Sequence, residues 1–91
     1  MALDKVQAVG NARRDLAKRL NVSESEIKES AVEKADFPDM ALGAPEAGEM
    51  SAQMIMSGWR IRLSAGGKDY EYRADARQVR LYNYKGKNYR V

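Results

Sequence analysis

This chain of 91 residues contains no cysteine and no histidine. Without cysteine it has no disulfide, no thiolate metal site and no thiol nucleophile. Without histidine it lacks the commonest general base and the commonest transition-metal ligand. Proline is reduced to Pro38 and Pro45, both inside one stretch, Phe37 to Gly48. No run approaches the roughly 18 consecutive apolar residues of a membrane-spanning helix. The opening residues, Met1 to Lys5, lack the basic start and apolar core of a signal peptide. A mature chain that began after a removed signal would look the same, which leaves a secreted or cell-envelope location open.

The remaining composition, 44% hydrophobic and 32% charged, is that of a folded single domain spanning residues 1–91. A domain of this size buries only about 60–65% of its unfolded surface, so its core is small. The net charge of +3 is unevenly spread. Residues 1–56 carry seven Lys/Arg against ten Asp/Glu, whereas residues 57–91 carry nine against three. An acidic front and a basic back point either to internal complementarity or to a basic surface for an anionic partner.

Asp4 is placed to cap a helix, and Val6, Val9, Leu16 and Leu20 follow at helical spacing, with Ala12 and Ala17 between them. A helix is expected over about residues 4–20, stopped at Asn21. Ser23 and Glu26 have capping-box spacing. Residues 27–37 read as helix by propensity and as strand by alternation, with Ile27, Ala31, Ala35 and Phe37 on one face; strand is preferred. Ser51 to Met56 is read as extended and Ser57-Gly58 as a turn or bulge. Trp59 to Leu63, a Gly66-Gly67 turn and Asp69 to Ala74 make a hairpin, and Gln78 to Tyr82 a further strand. Residues 85–91 are either one more hairpin or a loose tail. The fold class is α+β, one N-terminal amphipathic helix on a curved antiparallel sheet of about four strands. The face away from the helix is expected to stay wet, carrying Arg60, Arg62, Glu71, Arg73 and Arg80.

Several short pieces occur in a specific order: Asp15-Leu16-Ala17-Lys18-Arg19-Leu20-Asn21-Val22, Glu26-Ile27, Phe37-Pro38-Asp39, Leu42-Gly43-Ala44-Pro45, Ala52-Gln53, Gly58-Trp59-Arg60-Ile61-Arg62-Leu63, Gly66-Gly67-Lys68-Asp69-Tyr70-Glu71-Tyr72 and Asp75. In this order the chain resembles a family of small uncharacterised prokaryotic domains, many of them in secreted proteins or lipoproteins, over roughly residues 15–82. The family pattern carries cysteines where this chain has Ala44 and Tyr82, and a histidine where it has Arg73. The resemblance therefore implies a dispensed-with disulfide and puts Ala44 and Tyr82 within the roughly 7 Å Cα separation of a bridged pair. By architecture alone the order of elements is also similar to cystatin-like and PepSY-like domains.

No acid/base constellation is visible, and Ser23, Ser25 and Ser30 are explained by their cap-like setting, so no catalytic residue is assigned. Asp36, Asp39, Glu46 and Glu49 have oxygen ligands but match no known cation loop, and a solvated acidic loop is the better reading. Met40, Met50, Met54 and Met56 read as core filling rather than as a Cu(I) site. No metal or cofactor is expected. The basic, aromatic back is the sharpest functional feature, and Arg60, Arg62, Arg73 and Arg80 are the candidate nucleic-acid or anion face. The loop bearing Asp39, Leu42, Pro45 and Glu46, together with the sheet edges, is the candidate surface for a protein or peptide partner. A non-enzymatic protein- or peptide-interaction module is the leading expectation, and nucleic-acid binding is the alternative.

Overall fold

The computed structural model describes residues 2–91. Helix α1 (Lys5–Leu20) is followed by a 3-10 turn (Glu24–Glu26) and five strands: β1 (Lys28–Phe37), β2 (Met56–Ala65), β3 (Lys68–Ala74), β4 (Val79–Tyr84) and β5 (Lys87–Arg90). The strands form one antiparallel meander in sequence order. The class is α+β, with five strands rather than about four. The extra one is β5, which turns the C-terminal segment into a hairpin with β4.

The helix starts and stops where local chemistry dictates. The Asp4 carboxylate accepts from the Gln7 amide (2.8 Å), and the Gln7 side chain accepts from the Asp4 amide (3.0 Å), a reciprocal cap. At the far end Asn21 takes the left-handed conformation and closes the last turn. The buried seam is Ala8, Ala12 and Leu16, with Ala17 beside it. Of the expected stripe Val6, Val9, Leu16 and Leu20, only Val6 is corrected, being 76% exposed; Val9 and Leu20 pack partly buried against this core. Residues four apart stack on one face, and small alanines at two of these positions bring the helix close to the sheet. The seam packs on Ile61, Leu63, Tyr72, Val79 and Leu81. One polar tie pins it: Tyr72 donates its hydroxyl to Asp15 (2.8 Å), which also accepts from Arg19 (2.7 Å). Burial first, and the Asp15 bond second, push the Tyr72 hydroxyl far above its ordinary titration range.

Residues 28–37 are a strand, but not with one apolar face. The register shifts between Glu29 and Ala31, and a bulge of one residue sends later side chains to the opposite face. Ile27 consequently joins the helix-side core, while Phe37 is buried on the other side, beneath the Arg60 and Arg73 guanidiniums. Residues 51–55 precede β2 and are not extended in the sheet, and Met50 and Met54 are exposed, so neither fills the core. Ser57-Gly58 is neither turn nor bulge; it lies inside β2. A Cβ at Gly58 would drive into the Ala74 carbonyl of β3, so the close approach of backbones demands glycine. The Gly66-Gly67 turn forms with positive φ at both residues.

The second face of the sheet is not wet along its whole length. The loop from Pro38 to Met50 folds over it and buries Ala41, Leu42 and Ala44 beside Phe37. The result is a second, smaller apolar layer on the side away from the helix.

Gly58→Ala is expected to cost about 3 kcal/mol by overpacking a strand interior. Denaturant unfolding of the variant checks this; an unchanged midpoint would contradict the close approach.

Candidate functional site

The four arginines predicted to form one open face divide into two groups. Arg80 is the largest fully buried side chain, at 2% exposure. Its Nη2 donates to one oxygen of Glu49 (2.7 Å) and its Nη1 to the other, an ion pair with bidentate geometry. Nε donates to Gln78 (2.7 Å), and Nη1 also reaches the Ala44 carbonyl (3.3 Å). Gln78 in turn donates to the Met40 carbonyl (2.6 Å). Arg80 therefore does not present charge to solvent; it clamps the loop onto β4. The Arg80 guanidinium, with the Glu46 amide adding to it, holds the Glu49 carboxyl at about 2, below its ordinary 4.5.

Arg73 is the second clamp. Its Nη1 donates to the carbonyls of Leu42 (3.1 Å) and Gly43 (3.2 Å), and its guanidinium lies 3.8 Å from the Tyr82 ring centroid. Tyr82 and the chain immediately before Ala44 are thus both in contact with Arg73. Nε donates to Glu71 (2.8 Å), which also pairs with Arg60 (3.5 Å) and Arg62 (3.3 Å). Three guanidiniums share one carboxylate, which leaves a surplus of positive charge where Arg60 and Arg62 remain partly solvated.

The candidate partner loop is held inward by most of its named residues. Asp39 accepts from the amides of Ala41 and Gly43 (both 2.9 Å), and Leu42 is fully buried in a left-handed conformation. Pro45 and Glu46 are exposed but tied to β5: Asn88 donates to the Pro45 carbonyl (2.9 Å) and the Arg90 amide to Glu46 (3.2 Å). Leu42 is thus unavailable as a contact, and the loop is part of the fold rather than a free arm.

A cleft not anticipated from the sequence opens at the other end of the sheet. Pairing of β3 with β4 stops at Glu71 and Tyr82. Past that point the β4–β5 register shifts, Asn83 adopts a φ of 52°, and its amide bonds to the Asn88 side chain (2.8 Å). This bulge bends β4 away from β3. The wedge between them, about 700 Å³, is lined by three rings, Tyr70, Tyr82 and Tyr84, and by four cations, Arg19, Arg62, Lys68 and Lys85. Asp69 and Glu71 are the carboxylates on its wall. Among the described residues no carboxylate lies within ion-pair distance of Lys68 or Lys85. Lys85 also occupies a turn position with a φ of 52°, a conformation that suits asparagine or glycine and strains a lysine. Composition did signal this region, since it lies in the basic, aromatic back; the divergence of two strands did not show in the sequence.

Among the described residues no group of His, Asp or Glu side chains is arranged to hold a metal ion, and no helix is long and apolar enough to cross a membrane. These features define a small α+β domain whose open sheet carries a helix on one face and an arginine-clamped loop on the other. Residues 9–82 match the family described as a domain of unknown function, DUF8738, and the chain belongs to that family. No curated protein and no solved structure matches the chain.

Glu49→Ala leaves the buried Arg80 charge without its counterion and is expected to cost about 3 kcal/mol, read by chemical denaturation. Because the carboxyl is depressed in the folded state, the stability it contributes is complete above 4.5 and is lost as pH falls from 4.5 toward about 2. Glu49→Gln is expected to flatten that part of the stability–pH curve; an unchanged acid limb would contradict the clamp. Lys85→Asn relieves the left-handed lysine and is expected to add about 1 kcal/mol, visible as a raised melting temperature.

Proposed function

We propose that this protein is a non-enzymatic module that binds a protein or peptide partner by adding its strand to the free edge of β1. The observation that carries this reading is the edge itself. β1 is ten residues long, stands at the end of the sheet order, and pairs only with β2. At about 3.3 Å per residue it offers roughly 33 Å of backbone donors and acceptors along its outer side. A partner strand gains main-chain hydrogen bonds there, and side chains of alternating sign supply its specificity.

The edge is also guarded. Lys28, Glu29, Glu33, Lys34 and Asp36 are exposed along it, and a bulge sits near Ser30. Such charges and bulges discourage indiscriminate strand pairing, so a partner needs matching charge. Met54 and Ile55, both exposed, lie immediately before Met56, which pairs with Phe37 at the end of β1. They supply apolar contact next to the edge. The absence of cysteine and histidine from the sequence favours binding over catalysis. The alternative nucleic-acid surface built on all four arginines is weakened, because Arg73 and Arg80 are engaged by the loop.

The test is affinity capture from the cells that make the protein, comparing the native chain with a Glu33→Lys, Lys34→Glu double variant. The expected outcome is a partner whose complex slows hydrogen exchange across residues 28–37, and whose capture drops at least tenfold with the charge-swapped edge while the melting temperature is unchanged. Capture that is indifferent to the swap, with no protection of β1, would overturn the reading.

A further inference from the structure

The wedge between β3 and β4 has a chemistry of its own, independent of the β1 edge. Its two walls differ. Tyr70 and Tyr84 form one aromatic wall, with ring centroids 6.0 Å apart and planes tilted by 39°. Tyr82 stands on the opposite side of the sheet, stacked on Arg73 and still lining the cleft. The Tyr70–Tyr84 wall, which lines the cavity, offers a planar heterocycle a stacking surface, since every base has a π-face. The rim is cationic. Lys68 begins β3 and Lys85 caps the β4 end, neither with a carboxylate partner among the described residues, and Arg62 belongs to the cluster in which three guanidiniums share Glu71. Such a surplus attracts a phosphate, and guanidinium and ammonium groups suit its oxygens. The volume, about 700 Å³, lies in the range of small-ligand sites.

The strain at Lys85 strengthens the case. A turn with two successive positive φ values, here Lys85 and Gly86, is best made by Asn-Gly. A lysine there breaks a local rule, and such violations concentrate at functional positions. Its ammonium stands 5.4 Å from the Tyr84 ring centroid, at the junction of the aromatic wall and the cationic rim.

We propose that this wedge binds a nucleotide unit, its ring received against Tyr70 and Tyr84 and its phosphate held by Lys68 and Lys85, with Arg62 adding positive charge from the opposite side of the sheet. The unit comes either as a free mononucleotide or as one residue of a single strand; the recognition chemistry is the same, and the two sources are separable by experiment.

The test titrates the full chain with AMP, UMP, adenosine, ribose 5-phosphate and an oligothymidylate of eight residues, followed by amide chemical shifts and calorimetry. The expected result is saturable binding of AMP or UMP with shifts centred on residues 68–71 and 82–85. Adenosine and ribose 5-phosphate, each carrying half of the ligand, bind at least tenfold more weakly. An octamer that binds more than tenfold tighter than either mononucleotide at the same residues identifies the single strand as the source; comparable affinities identify the free nucleotide. Lys85→Asn is expected to lose at least tenfold in affinity while its melting temperature rises, which separates lost recognition from lost folding, and Lys68→Gln is expected to lose affinity at an unchanged melting temperature. No saturable binding of mononucleotide or octamer, ribose 5-phosphate binding as tightly as AMP, or full affinity in both lysine variants would overturn the proposal.

Discussion

The architecture depends on one buried guanidinium. Desolvating a charge is costly, and only a complete set of partners offsets it. Arg80 meets its requirement with Glu49, Gln78 and the Ala44 carbonyl, two of which lie on the loop more than thirty residues earlier in the chain. The loop must therefore lie on the sheet for β4 to tolerate an arginine in its buried run. Once it does, Phe37, Ala41, Leu42 and Ala44 become a second apolar layer, and a small domain gains burial on both faces of a single sheet. Small domains are short of buried surface, and covering the second face is the remedy of a chain that has no cysteine for a disulfide.

The same logic distributes the other arginines. Arg73 ties the Leu42 and Gly43 carbonyls to Tyr82 and Glu71, so it joins loop to sheet. Arg19 pairs with Asp15, which also holds Tyr72. Positive charge that looks like a binding face in the sequence is largely structural in the fold. Of the cations without an ion pair among the described residues, Lys68 and Lys85 line the β3–β4 wedge, with Arg62 of the Glu71 cluster beside them.

The sequence made some of this legible through local rules. Asp4 and Asn21 bound the helix because capping chemistry is local, and Gly66-Gly67 forms a hairpin turn because positive φ is a property of the residue. The failures were non-local. The face switch between Ile27 and Phe37 comes from a bulge near Ser30 that no residue type announces. Gly58 reads as a turn until Ala74 is placed opposite it. The alanines of α1 outrank Val6 because the tightness of helix–sheet contact, rather than side-chain hydrophobicity, decides the seam. The burial of Arg80 was invisible because its counterion lies far away in sequence, and an arginine alternating with apolar residues looks like the wet side of a strand.

The most direct test of the loop clamp is native-state hydrogen exchange of the Leu42 and Ala44 amides, which bond to Asp39 and Ala41 within the loop, beside those of β3 and β4. If Arg80 makes the loop an integral part of the fold, these amides exchange only through the global unfolding that releases the strands, and Arg80→Met frees them while the helix-side core stays protected. Loop amides that exchange rapidly in the native protein while β3 and β4 remain protected would contradict the account.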